Sequence, residues 1–441
     1  MNSEPAPQRS FPDGFLWGSA TASHQVEGWN HLNDWWIHEQ AGRLPFHSGV
    51  ACEQLQRYGD DFQLMRELGH NAHRLSIEWS RIEPRFGEFD HRALDHYRHV
   101  IGSVRANGME PLVTLHHFTS PAWLARGGGF TRSAAPELFA RFARHVVSAL
   151  KDLVQFWVTI NEPTVYTFQG YVYGVWPPHR YDPVHGIRVL RTMALAHGRA
   201  YHAIHAVQPD AQVGVAHHWR VFDPARPEHP GDRRMAALRD WLNNRWFPTA
   251  IQTGRMLPPL GRGRKIDWLA NTEDWVGLNY YTRELCHFAP HLPQVGFSRD
   301  PRPKVERNQL GWEIYPEGLY RALKAAAPPG SGKRIIVTEN GVPEAGDADA
   351  TRPRYLVQHL AAAHRAIQEG VNLEGYCYWS SIDNYEWAEG YTPRFGLVHV
   401  DYTTQERRPK PSAYVYREII QRNGLSRDML VRYHKPATLP D

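Results

Sequence analysis

The stretch Gln155-Phe-Trp-Val-Thr-Ile-Asn-Glu-Pro163 begins with apolar residues, turns polar at Asn161 and Glu162, and stops at a proline. A short run of β-branched and aromatic residues predicts a buried strand. A single acid after a strand is most often a solvated loop residue or a helix cap, so chemistry at Glu162 requires a partner. Runs of the same kind recur along the chain, and this recurrence decides the fold.

Eight short apolar runs predict eight strands. They are Phe15–Ala22, Ala72–Trp79, Glu110–His116, Phe156–Ile160, Gln212–Ala216, Trp275–Tyr280, Arg334–Thr338 and Gly375–Trp379. Segments between and after them predict helices. These are Glu53–Leu68, Arg92–Ala106, Pro136–Lys151, Ile187–Val207, Met235–Gln252, Pro316–Ala327, Arg354–Glu369 and Ser412–Gln421. Eight alternating units indicate an α/β fold in which a parallel sheet closes into a (β/α)8 TIM barrel.

The chain has 441 residues, whereas a bare barrel needs about 250, so we expect long loops after the strands. The longest predicted loops are Thr119–Ala134, Tyr166–Gly186, Trp219–Arg234 and Leu285–Ile314. No linker-like break, internal repeat or low-complexity segment divides the sequence. We therefore predict a single catalytic domain over residues 1–441, with a doubly wound sheet plus a second domain as the alternative.

The composition argues against several classes of function. A net charge of +4 is slight for this length, and the basic residues are scattered, so we expect neither nucleic acid nor membrane as a partner. The three cysteines, Cys52, Cys286 and Cys377, are widely spaced, which is typical of buried thiols in a reducing compartment. The first residues lack the basic start and apolar run of a secretory signal, and we expect a cytoplasmic protein.

In a TIM barrel, active-site residues lie at the carboxyl ends of the strands. Here almost every predicted strand ends in polar or aromatic residues. In chain order these ends are Ser23-His24-Gln25, Glu78-Trp79-Ser80, His116-His117, Asn161-Glu162, His217-His218, Asn279-Tyr280-Tyr281, Glu339-Asn340 and Trp379-Ser380. A satisfied polar cap explains any one of them, but eight together indicate an active site on one rim.

Two carboxylates stand at the ends of the fourth and seventh strands, Glu162 in TINEP and Glu339 in IIVTENG. Closure of a barrel can bring these ends to opposite walls of one cavity. A facing pair suits cleavage of a glycosidic bond, which needs an acid for the leaving oxygen and an anion for the sugar carbon. Repulsion between them raises one pKa, so one group holds a proton while the other stays ionised. Two unrelated caps are the alternative.

Metal-dependent hydrolysis is a further alternative, because the doublets His116-His117 and His217-His218 both end strands. Adjacent residues of a strand point to opposite faces, so each doublet offers one inward ligand. The first strand has no His-x-His, and HExxH is absent from the sequence. We therefore expect neither a metal nor a cofactor. Phosphate-cradling GxxxxGK[ST], GxGxxG after a strand and a GxSxG elbow are also missing.

Five motifs, spread from about Phe11 to Tyr416, resemble glycoside hydrolase family 1, the β-glucosidase family. They are Phe15-Leu-Trp-Gly-Ser-Ala-Thr-Ala-Ser-His-Gln-Val-Glu-Gly28, Asn71-Ala-His-Arg-Leu-Ser-Ile-Glu-Trp-Ser-Arg81, Thr159-Ile-Asn-Glu-Pro163, Val337-Thr-Glu-Asn-Gly341, and Trp379-Ser-Ser-Ile-Asp-Asn-Tyr-Glu-Trp387 with Tyr391-Thr-Pro-Arg-Phe-Gly-Leu397. By this resemblance Glu162 would be the general acid/base and Glu339 the nucleophile. The family retains anomeric configuration, which implies a covalent glycosyl-enzyme intermediate and carboxyl groups roughly 5–5.5 Å apart.

The resemblance also implies roles for residues around the carboxylates. Asn161 would hold the sugar 2-hydroxyl, Tyr281 would hydrogen-bond the nucleophile, and Arg74 would keep it ionised, with Asn279 as further support of the nucleophile. The residues that would bind the rest of the substrate are Gln25, His117, Glu386 and Trp387, with Trp379 as the floor of the subsite and Trp312 on the aglycone side.

The implied activity is that of an exo-acting β-glucosidase that also accepts β-galactosides or β-fucosides, with small-molecule β-glycosides or oligosaccharides as partners. Glu162 argues against the thioglucosidase branch of the family, which lacks this acid. Glu386 argues against the branch that acts on 6-phosphorylated sugars, because a carboxylate there would repel a phosphate. A non-catalytic sugar-binding barrel would require a broken carboxylate pair, and the sequence has both members.

Overall fold

In a computed structural model, which describes residues 9–289, 305–346 and 348–434, eight parallel strands close into a barrel. The strands, numbered β1 to β8, are Leu16–Ala20, Ala72–Ser76, Glu110–His116, Phe156–Asn161, Gln212–Pro224, Trp275–Cys286, Arg334–Asn340 and Asn372–Trp379. Neighbours in sequence pair in parallel, and β8 pairs with β1 to close the ring. The predicted TIM barrel is confirmed.

Eight helices, each following a strand, surround the barrel. Numbered α1 to α8, they are Gln54–Glu67, His91–Ala106, Ala135–Leu150, Pro183–His205, Pro230–Asp240, Pro316–Ala326, Arg352–Gln368 and Pro411–Arg422. The helix predicted over Met235–Gln252 is interrupted, because a π-helical turn at Trp241–Arg245 separates α5 from a further helix at Trp246–Thr253.

Helix α3 shows how the sequence builds these units. It carries Pro136 in its first turn, where a missing N–H costs no intrahelical bond. Its buried residues Phe139, Phe142, Val146 and Leu150 recur at three- and four-residue spacing, so one apolar stripe faces the barrel.

The barrel has its own apolar interior. One buried residue from each of β2 to β7 joins a separate cluster, which consists of Ala72, Leu112, Val158, Ala216, Trp275 and Ile336. Side chains from six different strands can meet only inside the ring, so this cluster fills the barrel. A larger cluster lies between the strands and the surrounding helices. A packed interior leaves the rim as the place for a site.

The strands β5 and β6 are longer than predicted. They stay paired beyond the rim, from Val221 with Arg283 to Pro224 with Cys286. The first part of the predicted loop Trp219–Arg234 is therefore strand. Charged residues are mixed there with Val221, Phe222 and Cys286, which are buried. Pairing between the two strands, together with the packing of Phe222 and Cys286 on Met235 and Ala236 of α5, holds the extension. Much of the predicted loop Leu285–Ile314 lies outside the described residues.

Short elements decorate the rim and the ends of the chain. The further helices are Ser23–Val26, Asp34–Gln40, Trp79–Ile82, Ala122–Arg126, Pro163–Thr167 and Arg427–Arg432, with a π-helical turn at Phe168–Val172 and 3-10 turns at Gly129–Thr131, Asp267–Leu269 and Trp387–Glu389. Three two-stranded pairs join Arg9–Ser10 with Gly424–Leu425, Glu344–Ala345 with Pro393–Arg394, and Val398–Val400 with Arg407–Pro409. Within the described ranges, the helices are all too short or too polar to cross a membrane.

Candidate active site

Glu162 follows the last residue of β4 and precedes the short helix that Pro163 begins. Its backbone is left-handed, with a φ of 42°, and its N–H donates to the Ala216 carbonyl at 2.8 Å. The carboxyl is buried and accepts a hydrogen bond from Asn279 Nδ2 at 2.9 Å. Burial, together with the nearby charge of Glu339, raises the pKa of Glu162 well above its usual value. This carboxyl is therefore suited to hold a proton.

Glu339 has the opposite surroundings. Arg74 Nη1 donates to its Oε1 at 2.5 Å, and the Tyr281 hydroxyl donates to its Oε2 at 2.6 Å. Burial and the charge of Glu339 raise the pKa of Tyr281 well above its usual value, so the phenol remains a donor. A cation and a hydroxyl on the two oxygens stabilise the ionised form of Glu339.

One guanidinium connects the nucleophile candidate to the rest of the site. Arg74 Nη2 donates to Asn161 Oδ1 at 2.7 Å, while its Nη1 holds Glu339. The Asn161 amide in turn contacts His117 Nε2 at 3.1 Å. Because Oδ1 of Asn161 is occupied, the free hydrogen on its Nδ2 is the group that can meet a ligand. Arg74 thus fixes Asn161 and Glu339 relative to each other.

Asn279 occupies a different place from the one expected. We predicted that it would support Glu339, but its Nδ2 donates to Glu162 Oε1, and also to Asn161 Oδ1 at 3.1 Å. Thr338 donates to Asn279 Oδ1 at 2.6 Å and so fixes the orientation of the amide. The observed contacts of Asn279 therefore support the acid candidate.

The wall opposite the strands β4 to β7 is formed by Gln25 and Glu386. Gln25 Nε2 donates to Asn384 Oδ1 at 3.0 Å and to Glu386 Oε2 at 3.2 Å. Glu386 also accepts a hydrogen bond from Trp379, and burial and the charge of Glu339 raise its pKa to about 8. The Oε1 atom of Gln25 is buried and has no hydrogen-bond partner among the described residues.

Two tryptophan rings enclose the site around His117. The imidazole stacks on Trp379, with ring centroids 6.0 Å apart, and on Trp387, at 6.1 Å. Burial and the Arg74 charge hold the pKa of His117 well below its usual value, so the ring is neutral. Since Nε2 faces the Asn161 amide, the proton is assigned to Nδ1. That nitrogen is buried and lacks a partner within the described part of the chain.

Strained backbone marks the same region. Three non-glycine residues of the site, Phe118, Glu162 and Trp387, have positive φ angles of 70°, 42° and 50°. Such conformations concentrate at functional sites, where the surrounding packing enforces them.

Trp312 is partly buried and packs against Tyr281, with ring centroids 5.7 Å apart, next to the nucleophile candidate.

The sequence profile of glycosyl hydrolase family 1 matches residues 7–425. The chain belongs to this family. Beta-glucosidase A of Thermotoga maritima is 35% identical over 95% of this chain and 99% of its own. A beta-galactosidase of Sulfolobus acidocaldarius is 33% identical over 95% of this chain and 97% of its own. The structure of a beta-glycosidase from Pyrococcus horikoshii superposes with a TM-score of 0.89 at 40% identity, and covers 98% of this chain and 99% of that one. The predicted family and its class of enzyme, an O-glycoside hydrolase, are confirmed.

Several residues of this family 1 site were not assigned from the sequence. Thr338 and Asn384 lie inside recognised motifs, but only the structure shows that they orient Asn279 and Gln25. Trp35, which packs on Trp387 at 4.6 Å between centroids, comes from a segment without a motif. Its neighbour Asn33 caps the short helix at Asp34–Gln40, a signal that the sequence does contain.

The histidine doublets do not converge. His117 faces the site, His116 contacts Ser120 at 3.3 Å, and His217 pairs with Glu273 at 2.8 Å. Across the described ranges, no group of three or more His, Cys, Asp or Glu side chains is arranged to hold a metal ion.

We expect Arg74→Met to lower the free energy of unfolding by about 3–5 kcal/mol, because it leaves the buried carboxylate of Glu339 without a cation. The matched control is Arg98→Met, which breaks a surface pair with Asp152 and should cost less than about 1 kcal/mol. Denaturant unfolding of both variants tests the difference. Equal effects would show that the Arg74 pair contributes no more than a surface pair.

Proposed function

We propose that this family 1 hydrolase is a retaining, exo-acting β-glycosidase that prefers β-D-glucosides and accepts β-D-galactosides and β-D-fucosides. The observation that carries the proposal is the unequal environment of the two carboxyls. Glu162 accepts its hydrogen bond from a neutral amide, whereas Glu339 contacts a guanidinium. One group is thereby kept as an acid and the other as an anion, which is the division of labour that retaining hydrolysis requires.

In the first step, Glu162 donates its proton to the glycosidic oxygen while a Glu339 oxygen attacks the anomeric carbon. The bond to the aglycone breaks, and a covalent glycosyl-enzyme forms. In the second step, Glu162, now a carboxylate, takes a proton from water, which attacks the same carbon and releases Glu339. Each step inverts the configuration at the anomeric carbon, so the product has the same configuration as the substrate. The raised pKa of Glu162 suits both directions of proton transfer, since the neighbouring charge of Glu339 disappears in the intermediate.

Two buried polar atoms that have no hydrogen-bond partner among the described residues support sugar binding beside Glu162 and Glu339. Buried polar atoms without partners are rare in folded proteins. Gln25 Oε1 can accept from a sugar hydroxyl and His117 Nδ1–H can donate to one. Asn161 offers the free hydrogen of its amide to the 2-hydroxyl, and Trp379 and Trp387 present apolar rings to the C–H face of the pyranose. Trp312 would contact the aglycone.

A free 6-hydroxyl suits the wall at Glu386 better than a 6-phosphate does. With a pKa raised to about 8, this carboxyl is largely neutral near pH 7 and can both donate and accept. The repulsion expected from the sequence is thus weakened. The partners of Glu386, however, are the neutral side chains Gln25 and Trp379, and neither supplies a cation for a phosphate.

A panel of nitrophenyl glycosides tests the substrate class. We expect the highest kcat/KM for the β-D-glucoside, measurable turnover of the β-D-galactoside and β-D-fucoside, and at least about 100-fold less for the β-D-glucoside 6-phosphate, equivalent to roughly 2.7 kcal/mol of transition-state binding. The α-D-glucoside is the control. Proton NMR should show the β-anomer of glucose first. Preference for the phosphorylated substrate, or initial release of the α-anomer, would contradict the proposal.

Two further properties complete the proposal. The chain works as one catalytic domain over residues 1–441, and it works in the cytoplasm. The free, buried state of Cys52, Cys286 and Cys377 supports a reducing compartment. Hydrolysis that is unchanged after prolonged treatment with a chelator would reject the metal-dependent alternative, and turnover of any β-glycoside would reject the non-catalytic one.

A further inference from the structure

A second polar cavity lies on the rim, apart from the residues assigned to the sugar site. It has a volume of about 140 Å³ and lies between the short helix at Asp34–Gln40 and the loops that follow β3 and β4. We call it the Asp34 cavity. Its polar lining consists of Asp34, His38, Ser120, Arg126, Tyr166, Tyr171 and Arg180. Trp35, the next residue after Asp34, packs on Trp387, so the helix separates the cavity from the sugar site.

Asp34 is buried, and the described hydrogen bonds to its carboxyl involve one of the two oxygens. Only 6% of the residue is exposed. Its Oδ1 accepts from the backbone N–H groups of Trp35 at 3.0 Å and Ser120 at 2.9 Å. The described hydrogen bonds to this carboxyl all go to Oδ1, which leaves Oδ2 for a ligand in the cavity that Asp34 lines. Burial raises the pKa of Asp34 to about 7, so near neutrality the side chain is in large part a hydroxyl donor.

The other polar groups are donors or cations. Arg126 and Arg180 are exposed at the cavity, and neither makes an ion pair or a side-chain hydrogen bond with any described residue. Burial keeps the pKa of the Tyr166 and Tyr171 phenols above the usual value, to about 12 for Tyr171, so both keep their protons. Burial and nearby cationic groups lower the pKa of His38 to about 4, and this imidazole is neutral.

From two guanidinium groups that have no side-chain partner among the described residues, and from a buried carboxyl and hydroxyls that line the same space, we propose that the Asp34 cavity binds a small oxyanion. A cation would be repelled by Arg126 and Arg180. The volume is well below the roughly 300 Å³ of pockets that hold larger organic ligands, which fits an ion of the size of sulfate or phosphate. Guanidinium groups donate charge-assisted hydrogen bonds to such ions.

Calorimetric titration with sodium sulfate, against sodium chloride at equal ionic strength, tests the proposal. We expect saturable binding of one sulfate near pH 6, weakened at least about tenfold by Arg180→Gln because one charge-assisted contact is lost. The matched control is Arg92→Gln, which removes an equal charge from the exposed face of α2 and should leave sulfate binding unchanged. No saturable binding, or equal losses in the two variants, would overturn the proposal.

The proton of Asp34 gives a second readout. Sulfate keeps its charge across this range, and the protonated share of a group with a pKa of about 7 falls roughly tenfold between about pH 6 and pH 8. We expect sulfate affinity to fall correspondingly in the wild type and to stay level in Asp34→Asn, whose amide always donates. The other ionisable groups near the carboxyl are Glu78, His24, His38, Tyr166, Tyr171, Arg126 and Arg180. A pH slope that survives in Asp34→Asn would contradict the role of Asp34.

A free ion and the phosphoryl group of a small metabolite share this chemistry. Titrations with inorganic phosphate and with methyl phosphate separate them. Binding of both supports a site for the free ion, and binding of methyl phosphate alone supports a site for an esterified group. Both outcomes place an oxyanion in the cavity if Arg180→Gln weakens them, whereas binding that Arg180→Gln leaves unchanged lies elsewhere and counts against the proposal.

Discussion

We expect Glu339→Gly to lower kcat for an aryl β-D-glucoside by about 10⁴-fold or more, because it removes the group that forms the covalent bond to the sugar. No other carboxyl is described in contact with Arg74, which binds Oε1 of Glu339. Steady-state and single-turnover kinetics measure the loss, and circular dichroism checks that the variant folds. A variant that retained full activity would exclude Glu339 as the nucleophile.

Azide should reactivate this variant, and the structure indicates why. Removal of the side chain leaves the Arg74 guanidinium and the Tyr281 hydroxyl facing the vacated space, and both are donors suited to a small anion. Azide held there attacks the sugar from the face that Glu339 occupied. The product is therefore an α-glycosyl azide, which a β-glycosidase does not cleave, so it accumulates.

The anomeric configuration of the azide product distinguishes the roles of Glu162 and Glu339 more clearly than the loss of activity does. In Glu162→Ala, azide enters the space next to Asn279, on the aglycone side, and attacks the covalent intermediate. We expect a β-glycosyl azide from that variant and an α-glycosyl azide from Glu339→Gly. The wild type with azide is the control and should form neither in quantity. Exchanged products would mean that the two roles are reversed.

The alternation of eight apolar runs predicts the barrel correctly because each run must be buried on both faces, and this burial leaves a strong pattern. The pattern misses the outer ends of two strands. Strands β5 and β6 continue to Pro224 and Cys286 beyond the rim, where charged residues are mixed with the buried Val221, Phe222 and Cys286. Pairing with the neighbouring strand and packing against Met235 and Ala236 hold this extension, and a pattern in one segment carries no information about its neighbours.

The site shows the same limit at the level of single contacts. The sequence predicts correctly that Glu162, Asn279 and Glu339 lie on one rim of the barrel. The side chains of three strands converge there, however, and sequence position does not show which carboxyl the Asn279 amide of β6 contacts. The choice of Asn279 for Glu162 depends on Thr338, which fixes its amide from β7. Asp34 lies in no motif, and its raised pKa, which is caused mainly by burial, depends on packing that the sequence does not show.

The second large effect is expected for Glu162→Ala, and it depends on the leaving group. General acid catalysis contributes roughly 10²–10⁴-fold, and the need for it grows as the leaving oxygen becomes more basic. We expect cellobiose hydrolysis to fall by about 10³-fold or more, while formation of the glycosyl-enzyme from a dinitrophenyl β-D-glucoside falls by less than about tenfold. Stopped-flow kinetics should then show a burst of dinitrophenol. Equal losses for both substrates would exclude Glu162 as the acid.

The pH profile tests the same assignment without removing the carboxyl. An acid with a raised pKa is active below that pKa, so activity falls as the pH rises through it, and this alkaline limb should be absent in Glu162→Ala for the dinitrophenyl substrate. The same profile tests the role of Asn279. Its hydrogen bond stabilises the ionised form of Glu162 and lowers the pKa of that carboxyl. In Asn279→Ala the limb should therefore move to higher pH. A shift to lower pH would show that Asn279 stabilises the protonated form. A shift confined to the alkaline limb is the result that identifies Glu162 as the proton donor.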